Sequence, residues 1–272
     1  MTITLSAIHV YPVKSLGGIA LAKGEMTTRG LKHDRRFMLV DHDHEFVSQR
    51  ELPKMATVWT EIINGQLEFS APDRDPVRVD AEPRAATSHA LRNVRVWDST
   101  VAAHTVSAAA DEWLSDYLGA EVRLVYMPDS SLRHCDPQYA TNNDIVSFAD
   151  GFPLLVTNED SLADLNVRIS RNGGTLVPMN RFRSNLVVRG AAAWAEDGWN
   201  EIAIGEAVFR AAKPCGRCQI TTTDQATGEV RGPEPLNTLA TFRETDKGIL
   251  FGVNLLPVKL GSVKVGDGVK IY

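Results

Sequence analysis

The first third of the chain alternates apolar and polar positions in short runs separated by turn residues. Ile3 to Val10 is rich in β-formers, and Pro12 ends the run. Phe37-Met38-Leu39-Val40 is a second apolar run, followed by the polar turn Asp41-His42-Asp43-His44. Val58 to Ile63, then Asn64-Gly65, then Leu67 to Phe69 predicts a hairpin, because Asn-Gly accepts the positive φ of a type I′ turn. Val77-Arg78-Val79 and Val94-Arg95-Val96-Trp97 alternate with the period of a strand. From Ala108 to Leu118 the period changes: Ala109, Trp113, Leu114 and Tyr117 share one helical face, and Gly119 supplies the stop.

Met127 to Asn143 is polar and irregular, a linker or a long active-site loop. Beyond it, Thr157 or Asn158 caps a helix carrying Leu162, Leu165 and Ile169. Strands are predicted at Asn185 to Val188, Glu201 to Ile204 and Ala207 to Ala211, with a hairpin-like ending from Val263 to Ile271. The fold class is therefore mainly β (α+β): two β-rich halves, barrel-like or sandwich-like, with a few helices. No internal repeat or low-complexity tract interrupts them.

Composition narrows the function classes. The chain has 272 residues, 43% of them apolar, enough for one large domain or two small ones. No apolar run approaches the roughly 20 residues of a membrane helix, and the start lacks the basic and apolar regions of a secretory signal. A net charge of −5 argues against a nucleic-acid binder with a broad basic face. Three cysteines are too few for a disulfide scaffold and fit a reducing, cytoplasmic setting.

The candidate chemistry centres on Lys213-Pro214-Cys215-Gly216-Arg217-Cys218. Thiolates are soft metal ligands, and the flanking cations favour the anionic form. Three plainer readings stand beside a cofactor site. The pair is half of a zinc site, with His134 and Cys135 as the nearby doublet, although the spacing matches no standard zinc pattern. It is a thioredoxin-type couple, although Ile220-Thr221-Thr222-Thr223 reads as strand where that motif opens a helix. Or both thiols are inert core residues. Four other segments carry chemistry-bearing residues. Lys14-Ser15 follows Pro12 on a turn, Asp34-Arg35-Arg36 enters a strand, and Arg181-Phe182-Arg183-Ser184-Asn185 does the same. Ser147 to Pro153 sets Asp150 beside Gly151. Each also suits a solvated turn or a surface ion pair. His42 and His44 read as a solvated turn. No serine-nucleophile elbow, P-loop or GxGxxG is present.

Taken in order, these segments resemble the MOSC family together with its N-terminal β-barrel partner domain. The resemblance rests on YPVKS (Tyr11–Ser15), GLKHDRRF (Gly30–Phe37), SFADGFPLLV (Ser147–Val156), SLADLN (Ser161–Asn166), RFRSNLVV (Arg181–Val188), AWAEDGW (Ala193–Trp199) and KPCGRCQITTTDQATGE (Lys213–Glu229). EPLNTLATFR, FGVN and VKVGDGV follow. It covers essentially the whole chain, with residues 1–125 as the N-terminal domain, 126–272 as the MOSC domain, and N-terminal strands contributing to the site.

The resemblance implies the molybdenum cofactor, a pterin bearing a dithiolene and a phosphate. It makes Cys218 the thiolate ligand of molybdenum and Cys215 its neighbour. Lys14, Ser15, Arg35 and Arg183 would surround the anionic cofactor. Asp150, Gly151, Thr157, Asn185, Gly216, Thr221 and Asn254 would complete the pocket. Gly216 departs from a position that is often serine in the family, which would remove one side-chain hydrogen bond. A buried polyanion needs paired cations, so basic residues from distant segments are the expected counter-charges. The implied reaction reduces small N-hydroxylated compounds, as amidoxime-reducing components and bacterial relatives do, with Cys218 at the centre and Asp150 or Asp224 as candidate proton donors or turn caps. Pyridoxal phosphate binding is a further association of the family. Some bacterial relatives carry a C-terminal ferredoxin domain. This chain ends at Tyr272 without that cysteine cluster, so the expected electron source is a separate ferredoxin-, flavodoxin- or reductase-type protein. The other class implied is a non-catalytic carrier of cofactor or sulfur. No nucleic-acid or membrane partner is expected.

Overall fold

The computed structural model describes residues 2–83, 91–141 and 143–272. Asn142, inside the expected linker, and His89 lie outside the described residues. Chain order runs β1 (Thr4–Val10), β2 (Ile19–Leu21), β3 (Lys23–Thr27), β4 (Gly30–Leu31), β5 (Phe37–Val40), β6 (Trp59–Ile63), β7 (Gln66–Ala71), β8 (Arg74–Asp80), β9 (Leu91–Val96), β10 (Ser99–Thr105), α1 (Ala108–Leu118) and β11 (Arg123–Tyr126). It continues with β12 (Leu154–Asn158), α2 (Glu159–Arg171), β13 (Leu186–Arg189), β14 (Glu201–Ile204), β15 (Ala207–Gly216), α3 (Leu236–Arg243), β16 (Glu244–Thr245), β17 (Gly248–Lys259), β18 (Ser262–Lys264) and β19 (Val269–Ile271). The mainly β class follows directly from this list. No helix among the described residues is long and apolar enough to cross a membrane.

A nine-stranded sheet in the order β19-β14-β15-β17-β12-β13-β1-β2, with β16 beside β17, organises the C-terminal half. Strand β1 belongs to it, pairing antiparallel with β13 so that Leu5 faces Val188 and Ile8 faces Leu186. The N-terminal half contains the sheets β5-β11-β10-β9 and β6-β7-β8. The β6–β7 turn has Asn64 at φ 52° and Gly65 at φ 79°, the positive angles expected of that hairpin. Helix α1 starts where the Ser107 side chain accepts from the Ala110 amide, and ends at Gly119 in the left-handed region. Helix α2 is capped by Asn158, whose side chain accepts from the Asp160 amide.

Two expectations need correction. Val263 to Ile271 is not a hairpin, because β18 pairs with β3 and β19 with β14. The intervening turn bonds to the first strand instead: Leu5 N donates to Asp267 O, and Gly266 N to Leu5 O. Ile220 to Thr223 is not a strand, since Gln219–Thr222 forms a 3₁₀ turn. The Thr221 and Thr222 hydroxyls bond back three residues, to Cys218 O and Gln219 O, a local partner that competes with a sheet ladder. Of the two readings of Met127 to Asn143, a linker or a long active-site loop, the contacts of Arg133 favour the second. Buried Arg133 donates from it to the carbonyls of Ser147, Ala149 and Asp150, and so fixes the loop that carries Asp150.

The core is built in parts. One cluster lies along the nine-stranded sheet and includes Leu5, Ile8, Leu186 and Phe209. A second gathers Phe37, Phe69, Leu114 and Leu124 under α1. Phe182 and Phe251 stack at 3.7 Å between the sheet and its helices. Burying side chains of this size stabilises the fold by about 1.5–3 kcal/mol each, which makes a rigid base for the segments above them.

Candidate active site

A cleft opens where the two halves of the chain meet, and sequence-distant segments supply its walls. Lys14 and Ser15 come from the turn after β1, Arg35 from the approach to β5, and Asp150–Gly151 from the loop before β12. Arg183 and Asn185 precede β13, Cys215 lies near the end of β15, Cys218 follows it, and Asn254 sits on β17. Ten of the expected site residues therefore line one cleft. Four do not, although each is close by in the fold. Thr157 is fully buried in β12 and bonds to Ser184 Oγ at 2.8 Å. Gly216 ends β15, where a Cβ would meet the Lys247 carbonyl at 3.0 Å. Thr221 is buried and ties its hydroxyl and amide to Cys218 O, so it sets the turn behind the thiol. Asp224 caps its own loop through the amides of Ala226 and Thr227 and pairs with Arg181 at 3.4 Å. The Ala226 hydrogen bond is the main influence holding the Asp224 carboxyl below its ordinary value; burial opposes it, and the Thr227 amide and Arg181 reinforce it.

The backbone bends sharply at three of the lining residues. Ser15, Arg35 and Arg183 have φ of 68°, 47° and 52°, a region that L-residues occupy at a cost of roughly 1–3 kcal/mol each. Each is pinned through its carbonyl. Gln49 donates to Ser15 O at 2.7 Å, Phe148 N to Arg35 O at 2.9 Å, and Arg35 Nη2 to Arg183 O at 3.1 Å.

Charge in the cleft runs opposite to that of the whole chain. Among the described residues, the lining carries Lys14, Arg35, Arg50, Arg183 and Arg217 against one carboxylate, Asp150. Lys14 reaches Asp150 Oδ1 at 2.5 Å and Phe148 O at 3.0 Å. Burial draws the Lys14 ammonium below its ordinary value, and Asp150 opposes that shift. Desolvation by the cleft walls works to raise the Asp150 carboxyl. The Lys14 charge and hydrogen bond outweigh it, with Arg50 and the Trp97 ring N–H, and hold the carboxyl well below the usual range. Asp150 is therefore ionised at neutral pH, in the state of an acceptor rather than a proton donor.

Arg35 is held by buried Asp34 at 2.6 Å and by Asn185 Oδ1 at 3.0 Å. Asn185 also accepts from the Leu155 amide and donates to Asp34 and the His9 carbonyl, which joins β1, β12 and β13 at one amide. Tyr11 lies against two cations, with the Arg35 and Arg183 guanidinium carbons 4.4 and 4.3 Å from its ring centre. Burial lowers the Arg183 guanidinium to about 10, so it keeps its charge at neutral pH. Among the described residues its Nη2 is buried without a hydrogen-bond partner, as is Nε of Arg217. Such unmatched donors are costly unless a ligand accepts from them.

The two thiols differ in their surroundings. Arg217 Nη1 approaches Cys215 Sγ at 2.9 Å, whereas Cys218 Sγ receives Arg50 Nη2 at 3.5 Å. Neither lies in an inert apolar core. Among the described residues no α-helix opens at the pair, as a thioredoxin-type couple requires; Cys218 is followed by the single 3₁₀ turn Gln219–Thr222. Among the described residues no group of three or more His, Cys, Asp or Glu side chains could hold a metal, so the zinc reading has no ligand set. Cys135 lies apart, in an apolar cluster with Val146 and Phe152, where burial pushes its thiol up to about 12.

Several site residues went unmarked in the sequence: Ser48, Gln49, Arg50, Trp97, Arg133 and Gln225. Gln49 and Gln225 exchange two amide hydrogen bonds, at 3.2 and 2.9 Å, across the two halves. The linear signal at Gln49 is a polar run, Ser48-Gln49-Arg50, directly after Phe46-Val47.

Residues 2–121 match the model of the MOSC N-terminal beta barrel domain, and residues 143–270 match the MOSC domain. The mitochondrial amidoxime reducing component 2 of Macaca fascicularis is 32% identical over 98% of this chain and 82% of its own length. Component 1 of Homo sapiens is 29% identical with the same coverage. The molybdenum cofactor sulfurase of Oryza sativa subsp. japonica is 30% identical over 93% of this chain but 32% of that protein. The chain belongs to the MOSC-domain family that includes the mitochondrial amidoxime reducing components.

Proposed function

We propose that this protein is a molybdenum-cofactor oxidoreductase that reduces N-hydroxylated compounds to the N–H form, with electrons from a separate donor protein. The observation that carries the reading is the gathering of Lys14, Arg35 and Arg183 around a cleft that also holds the Cys218 thiol. The names of the relatives, an amidoxime reducing component and a molybdenum cofactor sulfurase, supply the substrate class and the cofactor. In this reading residues 1–125 lend the first cations and residues 126–272 supply the thiol.

The residues fit an anionic pterin. The open Nη2 of Arg183 offers a donor, and the cation excess offsets the cost of burying phosphate charge. Arg35, Arg183 and Ser15 would hold the anionic part, and Cys218 would supply the protein's thiolate to the metal. When bound, the cofactor supplies the two-electron oxygen-transfer chemistry that the polypeptide lacks. Lys14 Nζ holds the proton of the Lys14–Asp150 pair, and Asp150 orients it. Asn254 donates to Lys213 O at 3.3 Å and steadies the strand that leads to the thiols.

Cofactor-loaded protein supplied with a reduced dye should convert an amidoxime or a hydroxylaminopurine to the amidine or amine. Loaded protein that turns over none of an N-hydroxy panel would contradict the proposal. The sulfurase match favours a second reading, a non-catalytic carrier of cofactor or sulfur, which predicts transfer to an acceptor apoenzyme instead.

A further inference from the structure

Arg50 lies on the irregular segment between β5 and β6, and its side chain reaches across the cleft to the far end of the sequence. Its guanidinium stacks on Trp97 at 4.5 Å, and its Nη2 meets Cys218 Sγ at 3.5 Å. Trp97 is itself fixed, by a hydrogen bond to Asp150 at 3.2 Å and by Phe46 at 4.8 Å. A stacked guanidinium keeps its donors in a fixed plane with their edges free. Among the described residues, the contact to Cys218 is the one hydrogen bond that the Arg50 side chain donates, and no carboxylate forms an ion pair with it.

The neighbouring cations are differently engaged. Lys14 is taken by Asp150, and Arg35 by Asp34, Asn185 and the Arg183 carbonyl. Arg217 is divided between Cys215 and the Phe182 carbonyl. The open donor of Arg183 belongs to the Tyr11 and Gln225 side of the cleft. Among the described residues Arg50 alone combines contact with the Cys218 sulfur and donors left for a ligand. An oxygen brought to that sulfur meets a guanidinium within hydrogen-bonding reach.

We propose that Arg50 is the cation that receives the substrate's oxygen at the Cys218 end of the cleft, so that the site selects ligands whose oxygen is anionic or gains negative charge as its bond to nitrogen lengthens. The identity of that oxygen rests on the proposed function; the charge effect at Cys218 does not. A donor already aimed at developing charge acts without reorganising.

The test uses the full chain free of cofactor. Alkylation rates at Cys218 are measured by peptide mass spectrometry with iodoacetate, which is anionic, and iodoacetamide, which is neutral. Their ratio cancels the thiolate fraction and reports local charge. Arg50→Gln should lower the ratio at Cys218 about fivefold, and Arg50→Lys should keep it within about twofold. The ratio at Cys215 should not change in either variant. An unchanged ratio at Cys218 in Arg50→Gln overturns the proposal. The unaltered chain gives an independent reading should that variant not fold. Its ratio at Cys218 should fall as salt rises from about 0.01 M to about 1 M, which shortens the Debye length from about 30 Å to about 3 Å; a salt-independent ratio overturns the proposal as well. Failure to reduce any N-hydroxylated compound would remove the proposed function without altering either ratio.

Discussion

The Lys14 ammonium and the Asp150 carboxylate meet at 2.5 Å across 136 residues of sequence, the one side chain buried and the other two-thirds exposed to the cleft. The folded chain holds Asp150 ionised below the ordinary value of 3.8, where the unfolded chain takes up a proton. Stability from this pair is thus present above about pH 4 and is lost as the pH falls towards the depressed value. Thermal unfolding followed from about pH 7 to about pH 2 should show a shallower acid decline in Asp150→Asn than in the unaltered chain. Parallel declines would mean that the pair contributes nothing to stability.

Asp34 is the buried counter-charge behind Arg35 and also accepts from the Tyr11 amide at 2.9 Å. Removing one member of such a pair leaves the other charge uncompensated, at a cost of about 3–5 kcal/mol. Asp34→Ala should therefore lower the unfolding free energy in urea by that amount. Asp34→Asn also removes the charge and turns an amide NH2 towards either Arg35 Nη1 or the Tyr11 and Asn185 donors, so it should be destabilising as well.

Local patterns were legible in the sequence wherever neighbours decide the structure. Asn64-Gly65 requires positive φ, and Ser107 and Gly119 bracket a helix whose apolar residues repeat at helical spacing. The cations Lys14, Arg35 and Arg183 were legible through the family resemblance, residue by residue, and they line one cleft with seven other residues that the resemblance named. Other features depend on long-range pairing that no local pattern encodes. The turn at Gly266 bonds to β1, some 260 residues earlier, in place of closing a hairpin. The Thr221 and Thr222 hydroxyls, by contrast, act locally: they bond three residues back and make a 3₁₀ turn of a run whose β-branched residues read as strand. Arg50 and Gln49 sit on a segment without periodicity, and their partners, Cys218 and Gln225, are 168 and 176 residues away.

Tyr11 holds Arg35 and Arg183 against one ring, at 4.4 and 4.3 Å. Each contact is worth about 0.5–2 kcal/mol, more as water is excluded. Tyr11→Phe keeps the ring and should retain cofactor within about twofold of the unaltered chain. Tyr11→Leu should lose cofactor at least about tenfold faster, through loss of both contacts. The readout is molybdenum per chain after gel filtration, alongside the melting temperature. Equal retention by the two variants would mean that the ring does not position the arginines.

Cys215 and Cys218 lie only three residues apart yet have unequal roles in the proposed reaction, and paired substitutions separate them. Cys218→Ala and Cys215→Ala, each checked for native melting, are assayed with a reduced dye and an amidoxime. Cys218→Ala should fold but lose activity to below about 1% of the unaltered chain, while Cys215→Ala should keep a substantial fraction. An active Cys218→Ala, or activity abolished by the Cys215 change alone, would contradict those roles.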